Sequence, residues 1–478
     1  MRGIAAAAFA ATFAAAPAFA WIAGEQSGAW FGFAVAGAGD VNRDGLGDLL
    51  IGALRYDGGQ AGEGAAWLFR GTPPGVDPAP PIRIERDASD AHLGSLVSGV
   101  GDVNGDGYDD VLIGAEGFED EGRAFVFHGG PTGIAGGGTG ASAGRLSLDE
   151  PFAGLGFGDA RAGDVNGDGK DDVILGARFF GGGGGAFVFH GSATGVGVRV
   201  AAAADARIEA TLADSEFGAS FGPAGDVNGD GWDDVVVGAP EEDGGGAVYV
   251  FHGGPAGIAA ASPAQAATRL ASASPGARFG WSVHGAGDVD HDGFDDLVVG
   301  APQGGAAMGG AAYVFLGGAG GIADGDANSA AFAIESPTPN ARLGSSVAGA
   351  RLDADAYSDV VIGAPTQDGV APGAGAVLVL RGSAAFPIGA QATVRRTADR
   401  AFAQLGFAVA IAGDTDGDGA GEWIAGAPFR SDADDETGAA IVAAPESSAG
   451  VAALAALLGL AARGCFGPGP IGRVRRSS

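Results

Sequence analysis

An acidic loop of nine residues returns every 62 residues along this chain, and it limits the possible folds more than any other feature. The pattern Asp-x-Asn/Asp-x-Asp-Gly-x-x-Asp/Glu, followed by an apolar run, begins at Asp40, Asp102, Asp164, Asp226, Asp288 and Asp414, and a worn copy lies between Arg351 and Asp359. A period this strict, filling most of 478 residues, requires a repeat architecture rather than two or three unrelated domains. The 94 glycines fall at fixed offsets between short apolar runs, which predicts many short strands joined by tight turns.

Each repeat contains the same parts. A Phe-Gly or Leu-Gly pair (Phe31-Gly32, Leu93-Gly94, Leu155-Gly156, Phe217-Gly218, Phe279-Gly280, Leu343-Gly344, Leu405-Gly406) opens a strand leading into the acidic loop. After the loop comes a continuous apolar run such as Val235-Val236-Val237, the signature of a strand covered on both faces. A third strand alternates more (Val248-Tyr249-Val250-Phe251) and a fourth is short (Arg207-Ile208-Glu209). Four antiparallel strands per repeat is a propeller blade, so the expected fold is all-β, a seven-bladed β-propeller of four-stranded antiparallel blades. The last repeat stops after its third strand, Ala439 to Val442, whereas Trp21-Ile22-Ala23 is an orphan fourth strand, so the N-terminal strand should complete the last blade and close the ring.

The loop chemistry points to a hard cation, and to Ca²⁺ in particular. Oxygen-bearing side chains stand at positions 1, 3, 5 and 9, Gly at position 6 permits the turn, and a backbone carbonyl is available at position 7. Full ligand sets are Asp40, Asn42, Asp44, Asp48; Asp102, Asn104, Asp106, Asp110; Asp164, Asn166, Asp168, Asp172; Asp226, Asn228, Asp230, Asp234; and Asp288, Asp290, Asp292, Asp296. The carbonyls of Leu46, Tyr108, Lys170, Trp232 and Phe294 should add the seventh-position oxygen. Asp414, Asp416, Asp418 and Glu422 form a sixth, weaker set, in which Glu adds a methylene. An EF-hand is excluded: position 12 is apolar (Ile51, Ile113, Leu175, Val237, Val299, Ala425) and the flanks are strands. The worn copy at Asp353, Asp355 and Asp359 has Ala356 in place of the turn Gly and is expected to hold no calcium; the Arg351 guanidinium is expected to take the cation position there.

The net charge of −32 excludes nucleic acid as a partner and argues against adsorption to anionic lipid. The single cysteine, Cys465, leaves the repeats without a disulfide, so bound metal is the expected cross-link. Residues 1–20 have the charge, apolar segment and Ala18-Phe19-Ala20 ending of a signal peptide, residues 21–445 hold the repeats, and residues 446–478 form a tail. In that tail Pro445-Glu446, an apolar segment expected to be helical from Ala449 to Ala462, and the basic residues Arg473, Arg475 and Arg476 look like a PEP-CTERM-type sorting signal of Gram-negative bacteria, although Ser447 stands where a second Pro is usual; a plain tail anchor is the alternative.

The Phe-Gly, acidic-loop and Gly-Ala-Pro elements, recurring in that order over residues 21–445, resemble the FG-GAP repeat proteins, the β-propellers typified by the head of integrin α subunits. The resemblance implies calcium-bearing blades and an extracellular protein or carbohydrate ligand. No catalytic constellation stands beside it. His128, His190 and His252 share one repeat position and read as structural, and no nucleophile elbow or phosphate loop occurs. The expected protein is therefore an exported, monomeric, non-enzymatic adhesion or ligand-binding propeller at the cell surface, outer membrane or matrix, met by sorting machinery through its tail and by the membrane only there. The alternatives are a polysaccharide lyase or hydrolase on a calcium-bearing propeller, and a purely structural matrix component.

Overall fold

A computed structural model of the chain describes residues 19–73, 75–384, 392–431, 437–443 and 461–463. These residues are all-β apart from single-turn 3-10 helices such as Glu242–Gly244. The repeat beginning at Phe217 is representative. Its strands Ser220–Gly225, Asp234–Ala239, Ala247–Phe251 and Thr268–Ala271 pair in sequence order, each antiparallel to the next. The second strand is buried at all six residues, as its unbroken apolar run requires of a strand covered on both faces.

The expectation of seven uniform blades needs correction. Six blades, not seven, are each drawn from a continuous stretch of chain, because the last repeat runs out after its third strand. Its strands Val409–Gly413, Glu422–Ala427 and Ala439–Ala443 belong to a composite sheet whose outer strand, Phe19–Ala23, comes from the opposite end of the chain. Trp21 lies opposite Ile441, Ile22 opposite Ala440 and Ala23 opposite Ala439. Nor are the sheets uniformly four-stranded or purely antiparallel. They hold four to six strands, and short parallel additions such as Gly137–Gly138 on Ile82–Glu85 and Val198–Val200 on Gly144–Ser147 come from the connection of the following repeat. These additions cover outer edges that would otherwise be left unpaired.

Two glycines of each repeat explain how blades stack. A Cβ on Gly238, in the second strand of the fourth blade, would lie 2.1 Å from the carbonyl oxygen of Gly280, the Phe-Gly glycine of the next blade. The same approach joins Gly52 to Gly94, Gly176 to Gly218, Gly300 to Gly344, Gly363 to Gly406 and, across the closure, Gly426 to Gly32. The Phe-Gly and Gly-Ala motifs are thus two halves of one backbone contact. Gly32, Gly94, Gly218, Gly280, Gly344 and Gly406 all take φ between +82° and +86°, open only to Gly at low cost.

The third blade breaks this rule. Gly156 is not left-handed, and Gly114 meets the Leu155 and Leu96 side chains instead of a glycine carbonyl. Phe157–Gly158 has left its own blade to pair in parallel with Ser220 and Phe221, while Arg161–Gly163 keeps the inner position and Leu155 still bridges Ala177 of its own blade.

Residues 1–18 of the expected signal peptide lie outside the described residues, as does most of the tail. Ala461–Arg463 is described, as a strand antiparallel to Ala333–Glu335 at the edge of the fifth blade, so the expected helix through Ala462 is corrected at its end. Among the described residues no helix is long and apolar enough to cross a membrane.

Candidate metal loops and the axial channel

The acidic loops connect first to second strands, so all lie on one face of the propeller. Within each, local hydrogen bonds impose the turn. The position-1 carboxylate accepts the position-6 amide, as in Gly45 to Asp40 Oδ2 (2.7 Å) and Gly293 to Asp288 Oδ2 (3.0 Å). The position-5 carboxylate accepts the position-7 amide, as in Trp232 to Asp230 Oδ1 (3.1 Å) and Ala420 to Asp418 Oδ1 (2.8 Å). Asn42, Asn104, Asn166 and Asn228 each accept the position-5 amide through Oδ1 at 2.8–2.9 Å.

The ninth-position carboxylate is the buried bracket of the loop. Asp172 Oδ2 accepts the Val165 amide (3.1 Å) and its Oδ1 accepts Gly191 (2.8 Å), which ties the loop to the end of the third strand. Asp48, Asp110, Asp234 and Asp296 make the same pair of bonds. Burial pushes all five carboxyls up to about 7, against the pull of those amides. Glu422, likewise pushed up to about 7 by burial, accepts the Thr415 amide (2.7 Å) and hydroxyl (2.8 Å) through Oε2.

The structure gathers two sets of carboxylates closely enough to hold one metal ion. Asp288, Asp290 and Asp292 bring one oxygen each within 4.8 Å of one another, and so do Asp414, Asp416 and Glu422. In each set one carboxylate oxygen, Asp290 Oδ1 or Glu422 Oε1, is buried without a hydrogen-bond partner among the described residues. Buried acceptors of this kind, in all-oxygen loops, are what a hard cation satisfies, so the residues present fit Ca²⁺. Asp296 stands outside the first set because Val289 and Gly317 hold it, both at 2.8 Å.

At the worn loop, the guanidinium paired with Asp353 belongs to Arg381, at the end of the third strand, while Arg351 donates to the Ala356 carbonyl at 3.0 Å. The guanidinium at this loop therefore comes from the end of the third strand and not, as expected, from Arg351 after the first. Arg381 occupies the repeat position of His128, His190 and His252. Those three place Nε2 where a Cβ on Gly195, Gly257 or Gly321 of the following blade would lie within 2.3–2.7 Å, so they are packing residues under a glycine turn.

Position 8 of the loop was overlooked in the sequence. Asp109, Asp171, Asp233 and Asp295 each reach back to the preceding blade and accept the position-1 amide of Asp40, Asp102, Asp164 or Asp226 at 2.7–3.0 Å. Neighbouring loops are clasped by this bond, and the recurrence of a second acidic residue beside position 9 was its available signal. Gly47 and Gly421 stand at the same position in the first and last loops and have no side chain to make it.

The axial channel contains a second departure from the repeat. Where other inner strands have Val or Phe, the broken third blade has Asp159, and the fifth has His284 in place of a small residue. Asp159 Oδ1 accepts the Ser98 hydroxyl at 2.6 Å, and Oδ2 lies 3.3 Å from His284 Nε2, joining the second, third and fifth blades. His284 Nδ1 lies 2.6 Å from the Gly285 carbonyl. Burial alone would lower the imidazole pKa, but the Asp159 hydrogen bond and charge outweigh it, with Arg161 opposing, and the value rises. Burial alone would raise Asp159, but His284 and Ser98 hold it below its ordinary value. A raised imidazole stabilises the fold below its unfolded value near 6.5 and loses that effect as pH rises through the folded value; a depressed carboxyl stabilises above about 3.8 and loses it on acidification. The pair should therefore contribute most between about pH 4 and 6.5. Melts at pH 6 and pH 8 are expected to differ less for His284→Gln than for the unaltered protein; equal differences would refute the ion pair.

Five stretches of the chain match the FG-GAP repeat. They are residues 31–69, 94–127, 159–189, 217–251 and 279–315, each running from an inner strand through a metal loop to a third strand in the first five blades. The chain is also similar to integrin alpha-6 of Gallus gallus (38% identical over 168 residues, 33% of this chain and 15% of that protein), to integrin alpha-V of Gallus gallus (31% over 218 residues, 44% and 20%) and to integrin alpha pat-2 of Caenorhabditis briggsae (30% over 236 residues, 44% and 18%). The chain thus spans at most a fifth of the length of these relatives. It is an all-β propeller carrying FG-GAP repeats and similar to integrin α chains.

Proposed function

We propose that this FG-GAP propeller is an exported, non-enzymatic protein of the bacterial surface or matrix that binds Ca²⁺ in its acidic loops and presents its opposite face to an extracellular protein or carbohydrate. The proposed ligands are the loop sets from Asp40 to Asp48, Asp102 to Asp110, Asp164 to Asp172, Asp226 to Asp234, Asp288 to Asp296 and Asp414 to Glu422. Bound there, Ca²⁺ supplies charge neutralisation that holds each hairpin to its blade.

One observation carries the adhesive reading. In an antiparallel blade, the loops joining second to third strands and one blade to the next lie opposite the metal loops. Six of the seven large hydrophobic residues exposed among the described residues occupy those loops: Phe152, Phe179, Leu212, Met308, Val370 and Phe402. Phe152 and Phe402 are 73% and 68% exposed and hold φ of +59° and +57°, at a repeat position where Gly28, Asp90, Asp214, Gly276 and Asn340 stand elsewhere. A left-handed Phe costs about 1–2 kcal/mol, and strain retained at exposed aromatics favours an interaction role.

Phe152→Gly and Phe402→Gly should therefore each stabilise the protein by about 1 kcal/mol while weakening surface attachment by cells producing the variant. Urea midpoints and an attachment assay at equal protein levels check both. Unchanged attachment would refute the assigned face. Release of unsaturated products from an anionic polysaccharide would instead favour the lyase alternative.

A further inference from the structure

The axial cavity has a volume of about 1020 Å³, ample for a small ligand. At the mouth away from the metal loops, its wall includes Trp281 and its lip includes Arg278, Arg342 and Gln303. The two arginines share one repeat position, directly before the Phe-Gly or Leu-Gly pair, where the other repeats carry Trp30, His92, Gly154, Glu216 and Gln404. Both are left-handed, with φ of +56° and +57°, so the backbone fixes where they leave the chain.

Their bonding states differ. Arg278 lies over the Trp281 ring (5.1 Å) and forms an ion pair with Glu241 Oε1 (2.6 Å), which holds the indole wall and its guanidinium together. Arg342 is exposed, and among the described residues its side chain makes no hydrogen bond or ion pair. The Gln303 amide is also exposed and without a side-chain hydrogen bond among them, while its backbone amide is tied to the Ala277 carbonyl at 3.3 Å. The cavity's acidic groups are each engaged within the fold: Asp40 by the Asp44 and Gly45 amides, Asp109 by the Asp40 amide, Asp233 by the Asp164 amide, and Asp159 by Ser98 and His284. What remains at the mouth is a guanidinium fork, a neutral amide that can both donate and accept, and an indole.

We propose that this mouth is a binding site for a carboxylated sugar, a uronate residue, with its carboxylate on Arg342, a hydroxyl on Gln303 and its ring against Trp281. A guanidinium fork matches a carboxylate in two parallel hydrogen bonds, an amide matches a hydroxyl, and an indole wall buries the apolar face of a sugar ring. The inference extends the ligand-binding reading above and does not depend on metal occupancy.

Calorimetric titration of the full chain with galacturonate, and with galactose as its neutral counterpart, tests it. Galacturonate should bind saturably and about tenfold more tightly than galactose. Arg342→Ala should abolish that preference, and Trp281→Ala should weaken both sugars. Should Trp281→Ala fail to melt cooperatively, Gln303→Ala on the exposed lip provides the second reading, with weaker binding of both sugars expected. Absent saturation, equal affinity for the two sugars, or galacturonate binding unchanged by Arg342→Ala would overturn the site. Loss of attachment in the Phe152 and Phe402 variants alongside any of those results would remove this ligand class and leave the adhesive reading standing.

Discussion

Removing calcium from the loaded protein is expected to unfold it or to lower its thermal midpoint by tens of degrees. A site with dissociation constant near 10⁻⁴ to 10⁻³ M is ordinary for an extracellular module, and ligand at about 100 times that constant contributes roughly 2.7 kcal/mol. Several such sites together match the 5–15 kcal/mol that holds a typical domain. The loops are placed to transmit the loss, since Asp109, Asp171, Asp233 and Asp295 bind the second to fifth loops each to the one before it. Elemental analysis of residues 21–478 after dialysis should find five or six calcium ions per chain. A melt before and after chelation then gives their energetic weight. A midpoint indifferent to chelation would mean that the loops stand on their own hydrogen bonds, and the calcium reading would fall with it.

Repetition made much of this fold readable. Any one acidic loop could have been an EF-hand fragment, but six loops in fixed register with a glycine pair and an apolar run define a blade, and Trp21-Ile22-Ala23 could be matched to the missing outer strand by spacing alone. Features that depart from the repeat were not readable. The parallel edge strands arise from connections with no pattern of their own, and Gly137–Gly138 has no apolar residue to mark it as a strand. Leu155-Gly156 has the right letters, yet Phe157–Gly158 defects to the next blade around Asp159, whose partner His284 lies 125 residues away. At the candidate sites the ligand types follow from the letters, but which oxygens converge does not. Asp290 and Glu422 keep an unpartnered oxygen while Asp296 is taken by two amides, and only three dimensions decide between these states.

The blade-stacking glycines give the second large effect, and they can be tested against an internal control. Gly238→Ala should destabilise the protein by about 3 kcal/mol or more. The new methyl would lie 2.1 Å from the Gly280 carbonyl oxygen and 2.2 Å from Ser220 Oγ, and the first of these is backbone fixed by two sheets. The hydroxyl has no freedom to yield, because Ser220 Oγ already donates to that same Gly280 carbonyl at 2.7 Å. Gly114→Ala changes the same motif position in the second blade, but its methyl would meet Leu155 Cδ2 and Leu96 Cβ at 2.8 Å, in the one junction where the third blade has pulled away. Leu155 Cδ2 can yield by a change of rotamer, while Leu96 Cβ moves only with its own backbone, so Gly114→Ala should cost less than Gly238→Ala, about 1–2 kcal/mol. Denaturant midpoints of the two variants, measured with calcium present, should therefore differ clearly. Equal losses would mean that the second and third blades stack by the same glycine contact as the rest, and that the displacement of Phe157–Gly158 does not exist in solution. A small loss in both would show that the junctions widen freely, and the joint recurrence of the Phe-Gly and Gly-Ala motifs would then need a cause other than blade stacking.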